Sequence, residues 1–128
     1  MGKTRPMVAV VDDDPRLLES LEELLESAGY AACCFMSARS LLDHGLSHLD
    51  LLISDIGMAS MNGFELRDQV KKARPELPVF LITGRHEIAD QGRAQGISGF
   101  FRKPFDAPAL LVAIGEALKS RDGGRHES

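Results

Sequence analysis

The chain of 128 residues carries 15 Lys and Arg against 19 Asp and Glu, a formal charge of −4, with 44% hydrophobic and 27% charged residues. That balance fits one globular domain with enough apolar residues for a core, and it excludes wholesale disorder. Mild acidity, 5% aromatic residues and no Trp argue against a basic or base-stacking nucleic-acid surface, and no apolar stretch approaches the ~18 residues of a membrane span.

Residues 1–6 read as a polar N-terminal extension. Met7–Val11 is a continuous apolar run, which predicts a strand buried on both faces; it is too short for a signal-peptide core of about 7–15 residues. Asp14-Pro15 then supplies a helix N-cap and a first-turn proline. Leu17, Leu18, Leu21, Leu24, Leu25 and Ala28 follow at helical spacing, and Gly29 stands where a helix end favours a left-handed residue. Tyr30–Phe35 reads as a second strand and Ser37–Leu46 as a short helix capped by Ser37. Leu49–Ser54 predicts a third strand that delivers Asp55 at its carboxyl end.

Asn62–Arg74 reads as helix, with Phe64, Leu66 and Val70 as apolar positions, and Val79–Thr83 as the fourth strand. His86–Gln95 predicts a fourth helix with a thin apolar face of Ile88, Ala89 and Ala94. Ile97–Phe101 follows as a short fifth strand. Asp106 then caps a last helix facing inward through Leu110, Leu111, Ile114, Ala117 and Leu118. Residues 120–128 are polar and read as a flexible tail or the start of a linker, so 7–119 is the expected domain. Five alternating units predict an α/β, doubly wound, flavodoxin-like (βα)5 fold: a five-stranded parallel sheet with five helices on both faces. Cys33 and Cys34 are adjacent, which suits neither a disulfide nor a CxxC pair. They predict reduced thiols serving as buried small hydrophobes in a cytoplasmic protein.

In an open α/β sheet, ligands gather at the carboxyl ends of the strands. Those ends hold Asp12, Asp13 and Asp14 after the first strand, Asp55 after the third, Thr83-Gly84 at the fourth and Lys103-Pro104 after the fifth. Converging carboxylates repel unless a cation sits among them, and hard oxygen ligands suit Mg²⁺, which keeps several waters and accepts substrate phosphate. A hydroxyl and a lysine on the opposite rim would hold phosphate oxygens. Each piece alone has a bland reading: capping and solvated charge for the triplet, turn residues for the rest. Together, on one sheet edge, they predict phosphoryl transfer to a carboxylate, Asp55.

With these spacings the chain resembles the receiver domain of bacterial response regulators, the CheY-like family. The resemblance spans residues 7–119 and is carried by Val10-Val11-Asp12-Asp13-Asp14, Ser54-Asp55, Met58, Asn62-Gly63, Ile82-Thr83-Gly84 and Lys103-Pro104-Phe105. It implies that Asp55 is the phosphoacceptor, that Asp13 and Asp55 bind Mg²⁺ directly with the Gly57 carbonyl as third protein ligand, and that Asp12 acts largely through water. It also implies that Thr83 and Lys103 contact the phosphoryl group and that Phe100 is the rotating switch aromatic. The implied donor is a sensor histidine kinase. The implied output is the surface of the fourth helix, fifth strand and last helix, which would dimerise on phosphorylation. The Ile-Thr-Gly and Lys-Pro-Phe forms resemble the FixJ-type branch, whose members often carry a C-terminal helix-turn-helix, DNA-binding output domain.

Two positions depart from the family pattern. Met58-Ala59 replaces the usual Met-Pro, removing a residue of fixed φ from the loop that enters the third helix. Gly57 has no side chain where the family usually has one, two residues after the phosphoacceptor. The alternative function is a Mg²⁺-dependent phosphatase working through an aspartyl phosphate. Haloacid-dehalogenase-type enzymes of that kind place a second acid at the position Gly57 occupies here.

Overall fold

The computed structural model describes residues 5–57, 61–83, 99–102 and 106–127. Its strands are β1 (Met7–Val11), β2 (Ala31–Phe35), β3 (Leu51–Asp55), β4 (Val79–Thr83) and β5 (Gly99–Arg102). The helices are α1 (Pro15–Ser27), α2 (Ala38–His44), α3 (Gly63–Ala73) and α4 (Ala107–Glu127). The helix expected over 86–95 lies outside the described residues, so of the five predicted helices four are described.

The five strands form one sheet in the order β2-β1-β3-β4-β5, every neighbouring pair parallel. The chain winds outward from β1 in one direction and from β3 in the other, so the order reverses between them and leaves a crevice at their carboxyl ends. That crevice is bounded by the register pairs Val11↔Ser54 and Asp55↔Ile82.

Side-chain alternation along the strands supplies two cores, one on each face. Ala9, Val11, Leu52, Val79 and Leu81 pack with Leu41 of α2 and with Leu66 and Val70 of α3. Val8, Val10, Leu51, Ile53, Phe80 and Ile82 pack with Leu18, Leu21 and Leu25 of α1 and with Leu110 and Ile114 of α4. Fully burying each such aliphatic side chain contributes about 1.5–3 kcal/mol, so the central strands β1, β3 and β4 are the best anchored. β2 is an edge strand and only half buried along its length.

The predicted helix signals act locally as expected. Asp14 accepts from the Arg16 N–H at 3.0 Å, Pro15 starts α1, and Gly29 after its end takes φ of 97°. Ser37 caps α2, accepting from the Ser40 N–H at 3.1 Å. Asn62 and Glu65, which were not expected as a cap, form a reciprocal capping box at α3, with bonds of 2.9 and 3.0 Å. Such a box satisfies two otherwise orphaned N–H groups.

Several boundaries differ from the sequence expectation. β3 begins at Leu51, because the Asp50 carboxylate turns to accept from the Met7 N–H at 2.7 Å. It runs on to include Asp55, since the ladder to β4 continues through the Ile56 N–H and the Ile82 carbonyl at 2.9 Å. β5 is described over Gly99–Arg102 and runs one residue past the expected end at Phe101, while residues 97 and 98 lie outside the described residues. Helical backbone in α4 continues to Glu127, across 120–127, the stretch read as tail or linker. Each added residue brings one more helical bond, and no proline interrupts the segment.

Cys33 and Cys34 are both free and half-buried. Being consecutive in β2, they face opposite cores, Cys33 that of α2 and α3 and Cys34 that of α1 and α4, where its thiol donates to the Leu18 carbonyl at 3.7 Å. Burial pushes the Cys34 thiol up from 9.0 to about 11, with Glu22, Cys33 and Glu26 adding to the rise. A folded-state value above the unfolded one means that this contribution to stability is intact below pH 9.0 and is lost as pH climbs towards about 11. Native protein is therefore expected to alkylate at Cys34 more slowly than urea-unfolded protein at mildly alkaline pH. Equal rates, read by mass spectrometry, would contradict this placement.

Candidate functional site

The crevice at the carboxyl ends of β1 and β3 holds the acidic residues. Asp12 follows β1 directly, and its backbone N–H still reaches across to the Phe35 carbonyl at 3.1 Å. Its carboxylate accepts from the Asp14 N–H at 2.8 Å, which fixes the turn into α1. Asp55 closes β3, one residue past its last pair with β1 and in register with Ile82 of β4. Asp12 is 2% exposed and Asp55 7%, whereas Asp13 is exposed. One carboxylate oxygen from each of Asp12, Asp13 and Asp55 lies within 4.8 Å of the others. Asp14 is spent on capping α1 instead.

Two buried carboxylates and one exposed one at this separation interact strongly. Unit charges 4 Å apart near a protein surface repel by about 4 kcal/mol. A divalent cation reverses that sign, and an oxygen-only donor set with an open, solvent-facing side suits Mg²⁺ rather than a softer metal. The residues present therefore fit the ion that the acidic cluster calls for.

Thr83 ends β4 with 1% exposure and pairs in register with Arg102 of β5. Gly57 is exposed, two residues past the carboxyl end of β3. Lys103 lies outside the described residues, as do Met58, Ala59 and the side chain of Phe100. Phe101 is described: its ring packs against Phe80 with centroids 5.6 Å apart, on the α1–α4 side of the sheet.

Two residues acquire a part that their types alone did not announce. Ser54, fully buried among aliphatic strand residues, donates its hydroxyl to the Asp55 carbonyl at 3.0 Å. Gly63, the first residue of α3, lies against the backbone of Asp55 and Ile56. A polar residue inside an apolar strand was the visible signal for the first. The second depends on how α3 approaches the sheet.

The same chain matches known proteins over nearly its whole length. The family described as the response regulator receiver domain matches residues 8–115. The transcriptional regulatory protein GlrR of Escherichia coli K12 is 39% identical over 113 residues, covering 86% of this chain and 26% of that protein. The transcriptional regulatory protein FixJ of Azorhizobium caulinodans is 34% identical over 125 residues, covering 94% of this chain and 59% of that protein. The signal receiver domain of an HD domain-containing protein from Pseudomonas fluorescens Pf-5 superposes with a TM-score of 0.87 at 26% identity, covering all of this chain and 97% of that one. The chain thus spans less than two thirds of the curated relatives named here, and the family match over residues 8–115 includes Asp12, Asp13 and Asp55. A (βα) sheet of order 2-1-3-4-5, with three aspartates gathered at its reversal point and this family match, makes the chain a member of the response regulator receiver domain family, a regulatory unit of two-component signalling.

Proposed function

We propose that Asp55 accepts a phosphoryl group from a phosphohistidine of a sensor kinase, and that this modification switches an output surface of the domain. The observation that carries the reading is the convergence of Asp12, Asp13 and Asp55 within 4.8 Å at the sheet's reversal point. In the transfer an Asp55 carboxylate oxygen forms the new O–P bond. The P–N bond to the donor imidazole breaks, and its electron pair stays with the nitrogen. Mg²⁺, when bound, neutralises charge on the phosphoryl oxygens. Asp13 and Asp55 would hold it directly, the Gly57 carbonyl would be the third protein ligand, and Asp12 would act through water. The roles assigned to Thr83 and Lys103 are donation to phosphoryl oxygens, the first by its hydroxyl, the second as a point charge.

Phe100, next to Phe101 in β5, is assigned the switch role: phosphorylation draws Thr83 inward, and the aromatic side chain turns into the space released. The surface of residues 86–95, β5 and α4 then changes and favours a homodimer. The domain is taken as 7–119, in the cytoplasm, joined to a DNA-binding output domain of the kind that the relatives' name, transcriptional regulatory protein, suggests. The phosphatase alternative has less support, because the position two after Asp55 is a glycine with no acid to offer.

Incubation with Mg²⁺ and acetyl phosphate tests this: intact mass should rise by one phosphoryl group, and light scattering should show a larger species with beryllofluoride than without it. No mass increase in the wild type would refute the reading. Gly57 sets a further expectation. Hydrolysis of the acyl phosphate needs a water held in line with the phosphorus, and Gly57 has no side chain to orient one. Gly57→Asn supplies an amide at that position, so phosphate release after donor removal should be faster in the variant. A rate equal to or slower than wild type contradicts this.

A further inference from the structure

The backbone of Asp55 and Ile56 is gripped from three sides. The buried Ser54 hydroxyl donates to the Asp55 carbonyl at 3.0 Å. The Gly63 N–H donates to the next carbonyl, that of Ile56, also at 3.0 Å. The Ile56 N–H donates in turn to the Ile82 carbonyl of β4 at 2.9 Å. Gly63 also makes a contact that only a glycine permits. A β carbon there would stand 2.8 Å from the Asp55 carbonyl oxygen, 2.9 Å from the Ile56 Cα and 3.3 Å from the Asp55 carbonyl carbon. All three are backbone atoms, so none can swing aside as the end of a flexible side chain would. Either α3 or the end of β3 must move.

The direction of the Asp55 carboxylate is set at its Cα, one bond from this gripped peptide. α3 is itself fixed by the Asn62–Glu65 capping box at the same end and by Leu66 and Val70 in the core. A displacement is therefore shared between the helix entry and the strand end that carries Asp55. Metal and phosphoryl chemistry tolerates such shifts poorly: a misplacement of about 1 Å can cost about 100-fold.

We propose that Gly63 and Ser54 are positioning residues for Asp55. Through the Asp55–Ile56 backbone they hold its carboxylate in the geometry that Asp12 and Asp13 complete, without touching the phosphoryl group themselves. The inference rests on the reading of Asp55 as phosphoacceptor. A merely structural role would lower stability and leave the site of the folded molecules intact, so the readout is Mg²⁺ affinity at a temperature where circular dichroism shows every variant folded.

The experiment is calorimetric Mg²⁺ titration of Gly63→Ala, Ser54→Ala and Ser54→Thr, with Val70→Ala as a variant that destabilises α3 away from its entry. Gly63→Ala should weaken Mg²⁺ binding by about 10–100-fold, the range typical of lost outer-shell support. Ser54→Ala should weaken it less, Ser54→Thr should restore part of the loss by returning the hydroxyl, and Val70→Ala should bind like wild type. Unchanged affinity in a folded Gly63→Ala, or an equal loss in Val70→Ala, overturns the proposal. Should Gly63→Ala fail to fold, the serine pair decides, and wild-type affinity in Ser54→Ala overturns it. Failure of the underlying reading is seen separately, as a wild-type protein that binds no Mg²⁺ or takes no phosphoryl group.

Discussion

Asp55→Asn is expected to take up no phosphoryl group from acetyl phosphate under conditions in which the wild type gains one. The substitution preserves shape and most hydrogen bonding but replaces the anionic oxygen nucleophile with an amide, which cannot form the acyl phosphate. Asp55 is 7% exposed at the end of a central strand. The same change removes one of three carboxylates that lie within 4.8 Å of each other. Without Mg²⁺, where their repulsion is uncompensated by metal, Asp55→Asn should therefore melt no lower than the wild type. Loss of phosphorylation with stability retained separates a chemical role from a structural one. A large drop in melting temperature would point instead to Asp55 as a structural residue.

The acidic triplet should divide sharply when its members are replaced one at a time. Asp13 offers an oxygen to the cluster and is exposed, so Asp13→Ala removes a ligand without leaving a buried group unsatisfied. Its Mg²⁺-dependent phosphorylation should fall by at least the about 10–100-fold that outer-shell losses typically cost. Asp14 accepts from the Arg16 N–H at the start of α1, and Asp14→Ala should cost about 1 kcal/mol of stability as a lost N-cap. Phosphorylation should be nearly unaffected, because the contact that Asp14 makes to Asp12 is through its backbone N–H. Mg²⁺ titrations of initial phosphorylation rate check this pair, and equal losses in both variants would show that the acidic cluster is wrongly divided.

What the sequence disclosed, and what it withheld, follow from the range of the interactions involved. β1 and β4 are uninterrupted apolar runs buried on both faces, and their bounds were legible in full. Caps at Asp14 and Ser37 are local hydrogen bonds between residues two or three apart, so they too were visible. β3 was harder to bound. Leu49 is buried in the core without belonging to the strand, and Asp50 is diverted to the Met7 N–H, 43 positions away. Apolar character alone cannot distinguish a strand residue from a core residue just outside one.

The site shows the same division. Asp12, Asp13 and Asp55 were found from their places at strand ends, because a parallel sheet carries all its carboxyl ends to one edge. Their spacing within 4.8 Å is the geometric counterpart of that argument. The support beneath Asp55 was not legible. Asn62-Gly63 stood out only as part of a family pattern, and nothing in the chain says that α3 approaches until Gly63 touches the Asp55 carbonyl. Ser54 reads in the sequence only as the last residue of the predicted strand, yet it is fully buried and bonds the backbone of the residue after it.

The central claim is that one carboxylate, Asp55, carries the phosphoryl group, and borohydride trapping tests it most directly. Hydride reduces an aspartyl phosphate to homoserine, a permanent change at the modified residue that peptide mass spectrometry can locate. Protein treated with Mg²⁺ and acetyl phosphate, then reduced, should carry homoserine at position 55 and aspartate at positions 12, 13 and 14. Homoserine at any of those three positions, or phosphorylated protein that yields none, would contradict the account.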